Sequence, residues 1–228
     1  MFPNGNYPSS SPSSNPIIIE GSSRATPALL SQVLIITSFG FLVSALGVYV
    51  APPIFSGGMF WFCVIATFGL IFAIRAARNT PVLAFGLFLL LALAMGFEIS
   101  PWISMLLHHG HADAVFNAAL TTGVGMGCLG IGAQFAHFNY RRVGGIALAA
   151  LFGLILVGIL GAFFHFVSPT LYSWLTLIVF SVLLVVDFMR IRNGGDGQTA
   201  VELAVNIYLD GINMVLALTR IFSGGGRD

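Results

Sequence analysis

From residue 29 onward the chain alternates between long apolar runs and short polar breaks. A bilayer core about 30 Å thick takes roughly 20 helical residues to cross. Runs of about that length fall at 29–51, 58–75, 81–100, 113–137, 143–167, 170–189 and 200–222, which predicts about seven crossings. Lipid offers no partner to an unpaired backbone N–H or C=O, so each crossing is expected to be a helix. The breaks carry residues that end helices. Pro52 and Pro53 follow the first run, Pro81 opens the third, Pro101 sits near its end and Pro169 opens the sixth. Gly194, Gly195 and Gly197 break the chain before the seventh. Residues 1–28 are rich in Ser, Pro, Asn and Gly and bury too little to order themselves, so they read as a flexible tail. The run behind them is too long for a signal-peptide core. Residues 223–228 form a short C-terminal tail, and 29–222 one transmembrane domain.

Composition excludes a soluble domain. Charged residues are 7% of the chain, against about 25% in soluble proteins. Mean hydropathy is +0.95, so there is not enough polar surface to cover a soluble fold of this size. The net charge of +1 comes with no basic block and no acidic tail, which speaks against nucleic acid as a partner. Cys63 and Cys128 lie in apolar runs and read as small buried hydrophobes. The arginines are uneven: Arg24, Arg75, Arg78, Arg141, Arg142, Arg190 and Arg192 fall on one side of a seven-span layout, and only Arg220 and Arg227 near the other. The positive-inside rule then places the N-terminus in the cytoplasm, provided that the seventh segment crosses fully. The glycines Gly123 to Gly132 of the fourth span read as close helix packing rather than a nucleotide loop, because no strand precedes them.

The seventh segment differs from the rest. Glu202, Asn206, Asp210, Asn213 and Arg220 follow at spacings of four, four, three and seven, and so share one stripe of a helix. In lipid each central charge costs about 2.5–3.5 kcal/mol even on the mildest scale. The stripe must therefore face protein or water, and the helix is expected inside the bundle with the others around it. Asp187 closes the sixth span. It lies about 6 residues before the loop glycines and Asp210 about 13 after them. Straight antiparallel helices would leave their depths roughly 10 Å apart at 1.5 Å per residue, so the spacing permits contact without requiring it. If they meet, two carboxylates a few ångströms apart cannot both ionise cheaply; they share a proton, and when fully ionised they attract a cation. Arg75, at the end of the second span, can reach the same region. The duller reading is a helix-end Asp187 and an Asp210 hydrogen-bonded in an interface.

The end of the chain, IYLDGINMVLALTRIF, resembles the closing signature of the Bax inhibitor family (the transmembrane Bax inhibitor motif proteins) in its bacterial form. Tyr208, Leu209, Asp210, Ile212, Asn213 and Arg220 carry the likeness. Asp187, followed by Arg190 and Arg192, also matches, with Val186 where many members have Tyr. The resemblance implies an all-α integral membrane protein with six helices around a central polar seventh. It also implies a pH-sensitive calcium leak, with Asp187 and Asp210 as sensor and transient cation site and Arg75 as a latch. Glu202, Asn206 and Asn213 would then line or support the path, Arg220 would balance charge near its far end, and Glu98, the other acid embedded in a span, would support it. The expected surroundings are membrane lipids, protons and calcium or another cation, with no cofactor and no firm metal site, in the plasma (inner) membrane.

Rival classes are weaker. A retinal protein needs a lysine, and the chain has none. The loops are too short for a hormone-type receptor, and no Ser–His or Ser–Asp pairing at helical spacing suggests an intramembrane hydrolase, so the chain is not expected to be an enzyme. A scaffold or regulatory membrane partner with no flux of its own is the stronger rival. His108, His109, His111 and Asp113 cluster in one loop and read as solvated rather than metal-binding. His137 and His165 sit near span ends without an evident partner.

Overall fold

The computed structural model describes residues 22–52, 57–164 and 167–224. The proposed tails are therefore largely outside the described residues, and so is His165. Seven helices follow one another: α1 (Ser22–Val50), α2 (Gly57–Ala76), α3 (Pro81–His108), α4 (Ala112–Phe135), α5 (Tyr140–Phe164), α6 (Pro169–Arg192) and α7 (Ala200–Phe222). Among the described residues, these seven are long and apolar enough to cross a membrane. The sequence runs fall on them one for one. The largest difference is α3, which passes through Pro101 and ends at His108 rather than stopping near 100. Proline interrupts the backbone ladder at one position, and transmembrane helices tolerate this when neighbours re-satisfy the freed group. The α1–α3 contact is close there, with the Ser100 hydroxyl donating to the Val48 carbonyl of α1 at 3.4 Å.

Burial covers 67% of the apolar stretch of α7, against 39% or less in every other span, so α7 is the most enclosed of the seven. It packs mainly on α6, α4 and α1, and at fewer points on α3 and α2. α5 is held chiefly by α6. Without a hydrophobic drive between helices in lipid, close backbone approach and side-chain fit supply the association. Gly47 of α1 meets α3 in this way: a Cβ there would lie 2.8 Å from the Leu93 carbonyl oxygen and 3.1 Å from the Cα of Gly96.

One residue locks α7 to both α1 and α3. Tyr208 is fully buried. Its ring meets Phe88 edge-on at 5.5 Å between centroids and Phe41 at 5.4 Å. Its hydroxyl lies 2.5 Å from Ser44 Oγ. Ser44 is also within 2.9 Å of the Ala92 carbonyl and 3.0 Å of the Gly40 carbonyl. A serine has one proton to give. Ser44 therefore donates to a carbonyl, and Tyr208 donates to Ser44.

Candidate functional site

The polar face of α7 borders a cavity of about 1100 Å³. From α7 it takes Asn206, Asp210, Asn213 and Arg220, four of the five stripe residues read from the sequence. Asp187 and Arg190 reach it from α6, Thr67 and Arg75 from α2, and Glu98 from α3. Leucines, isoleucines and glycines of α5 contribute an apolar wall.

Asp187 and Asp210 meet. Their carboxyl groups lie within hydrogen-bonding reach of each other, and both are buried, at 7% and 5% exposure. Asp210 Oδ2 is fully enclosed and accepts from no donor of the chain. Two carboxyl groups this close cannot both ionise cheaply, which favours a shared proton or a nearby cation. The connection between the two helices is not straight chain. Gly194, Gly195, Asp196 and Gly197 all have positive φ, between 51° and 87°, so the chain turns back on itself there rather than running on in line. Three of these positions are glycine, which adopts that backbone without a Cβ clash; aspartate is among the few other residues that tolerate it.

The cation on Asp187 is Arg190, one turn on in the same helix, whose Nη1 donates to Asp187 Oδ1. Arg75 lines the same cavity but, among the described residues, makes no ion pair with either aspartate. The ion-pair partner of Asp187 is thus Arg190, and Arg75 reaches the cavity from α2. Glu202 is placed differently from the sequence reading. It does not line the cavity; it closes a capping box at the start of α7, where Glu202 Oε2 accepts from the Thr199 N–H at 2.7 Å and Thr199 Oγ1 accepts from the Glu202 N–H at 3.2 Å. Those orphan donors at the helix start draw the carboxylate away from the stripe.

Further along the cavity, Asn213 commits its amide nitrogen to the Leu209 carbonyl at 2.7 Å, so oxygen is what it offers to a ligand. Glu98 Oε1 accepts from the Thr67 hydroxyl, which ties α3 to α2. Arg220 lies over the Trp102 ring, 5.7 Å from its centroid, and among the described residues makes no ion pair with Glu98. Among the described residues, no group of three or more His, Cys, Asp or Glu is placed to hold a metal ion.

The arginine-rich end is braced by further contacts that sequence reading missed. Asp196 accepts from Tyr140 Oη at 2.9 Å and from Arg141 Nη2 at 2.7 Å. Arg190 Nε lies 3.7 Å from Asp196 Oδ2. Arg78 donates to the Gly197 carbonyl at 2.9 Å. Arg192 donates to the carbonyls of Ala133, Gln134 and Ala136, the orphan acceptors at the end of α4. Slight burial raises the Asp196 carboxyl, but the bonds from Arg141 and Tyr140 and the charges of Arg141 and Arg190 outweigh it and hold it below the usual carboxylate range. A depressed acid stabilises the fold above its ordinary value and loses that contribution as pH falls through the depressed one, so this turn stays charged and closed at neutral pH.

Seven apolar helices, two of which bring a buried acid pair together beside a shared cavity, define a multi-pass integral membrane protein. The family model described as inhibitor of apoptosis-promoting Bax1 matches residues 26–228, and the chain belongs to this Bax inhibitor-1 family. It is 28% identical to the uncharacterized protein YrjE of Lactococcus lactis, over 94% of this chain and 99% of that one. It is 29% identical to an uncharacterized membrane protein of Streptococcus pyogenes serotype M3, over 64% of this chain and 66% of that one.

Proposed function

We propose that the protein is a passive cation leak whose conductance depends on pH, with calcium as the favoured ion, and that it is not an enzyme. The observation that carries this reading is the Asp187–Asp210 contact beside a cavity that holds the rest of the α7 polar stripe. Calcium takes oxygen ligands from carboxylates and amide carbonyls, and the two aspartates with Asn206 and Asn213 offer that set along one face of the cavity. A proton and a cation compete for the same two carboxylates. Arg190 supplies the resident positive charge in the closed state, and Arg75, on the same cavity, is a second cation able to approach when the pair is ionised. Glu98 and Arg220 act nearer the far end. The arginine-rich end lies in the cytoplasm of a plasma membrane protein, with the N-terminus on that side.

Calcium entry into liposomes holding the purified protein, read across pH 6 to 8, tests this reading. Flux above that of empty liposomes, changing with pH, is expected. Flux equal to that of empty liposomes at every pH would leave a scaffold or regulatory membrane protein, with the polar stripe as an interface.

A further inference from the structure

Arg190 stands between two carboxylates of different kinds. Asp187 is buried and faces Asp210. Asp196 sits in the turn between α6 and α7 and is already engaged by Tyr140 and Arg141 of α5. We infer that Asp196 is a positioning residue that sets how firmly Arg190 holds Asp187, and thereby the pH at which the Asp187–Asp210 pair changes charge. The inference rests on reading that pair as the proton and cation site.

The reasoning is a competition for one guanidinium. Arg190 bonds Asp187 through Nη1 while its Nε faces Asp196 at 3.7 Å, beyond hydrogen-bond length but within ion-pair range. A proton or cation arriving between Asp187 and Asp210 weakens the hold of Asp187 on Arg190. A half-buried arginine left alone would oppose that arrival, because breaking a buried pair strands an uncompensated charge. Asp196 removes the difficulty by offering a second carboxylate a short swing away. Tyr140 and Arg141 limit this pull, since both draw on the same carboxylate oxygens.

The other charged groups at this end are spoken for or stand apart. Asp210 faces the site from α7, and Arg75 lines the cavity from α2. Glu202 is held in its cap, Arg78 on Gly197 and Arg192 on the end of α4. Arg142 and His137 are exposed. From Pro27 to Val50, α1 carries no charged residue.

The test uses the full chain in liposomes, with two readouts: the pH midpoint of calcium flux, and the carboxyl stretch by infrared titration, which reports the pair whether or not ions flow. Asp196→Asn keeps the turn, because asparagine accepts left-handed backbone. It should commit Arg190 to Asp187 and move both midpoints to lower pH by about half a unit or more. Tyr140→Phe with Arg141→Gln frees Asp196 to draw Arg190 away and should move them to higher pH. Simple loss of a nearby charge would give the same signs, so each change is repeated in Arg190→Gln. There the shifts should shrink to a small remainder. Infrared midpoints that stay put, or shifts that persist at full size without Arg190, would overturn the inference. Infrared shifts as expected, with no flux in the wild type, would sustain it while removing the leak.

Discussion

In the proposed calcium leak, Asp210→Asn is expected to remove the pH dependence of flux between pH 6 and 8 and to lower flux at the higher pH by about tenfold or more, the scale expected when one of two charged ligands is lost. The substitution keeps shape and changes charge. Asp210 Oδ2 is enclosed with no donor of the chain beside it, and in the proposed site a shared proton or a bound cation satisfies it. An asparagine supplies its own N–H to Asp187 and fixes the pair in a form that neither titrates nor recruits a cation. Asp187 then keeps Arg190 as its partner at all pH values. Flux assays at several pH values on the variant beside the wild type check this. An unchanged pH profile would place the sensor elsewhere.

Tyr208→Ala destabilises the fold by on the order of 3 kcal/mol, the largest single effect expected outside the site. The ring is fully buried against Phe41 of α1 and Phe88 of α3, and alanine leaves most of its volume empty. Tyr208→Phe keeps the ring contacts and removes only the bond to Ser44, which should lose about 1 kcal/mol. Ser44 retains carbonyl partners at Ala92 and Gly40, so no donor is stranded. Reversible unfolding in mixed micelles measures both. Equal losses for the two substitutions would show that the hydroxyl, not the packing, carries this contact.

The spans were legible because each apolar run is bounded by proline, glycine or arginine and matches bilayer thickness. Where α3 ends was not, since Pro101 reads as a stop in water but is carried inside a transmembrane helix. The stripe on α7 was legible from its period, and Asn206, Asp210, Asn213 and Arg220 do share one cavity. Glu202 was drawn into that stripe by spacing alone. The competing signal, Thr199 three residues before a glutamate at the head of an apolar run, was present in the sequence and marks a capping box. Arg190 was likewise readable as a partner of Asp187 at i+3 on one helix. Contact between Asp187 and Asp210 could not be read from spacing, because a residue count treats the connection as straight chain, whereas four successive residues there have positive φ. Asp196 gave no signal of its own: its partners Tyr140 and Arg141 lie more than fifty positions away. Ser44 is one of several small polar residues in α1, and nothing local marks it as the partner of Tyr208.

The central claim is that a proton and a cation compete for Asp187 and Asp210. Calorimetry of calcium binding to the purified protein near pH 6.5, repeated in buffers of different ionisation enthalpy, counts the protons exchanged. Calcium binding that releases protons, with the release lost in Asp210→Asn, is the predicted result; calcium bound with no proton release, or released equally by the variant, would contradict it.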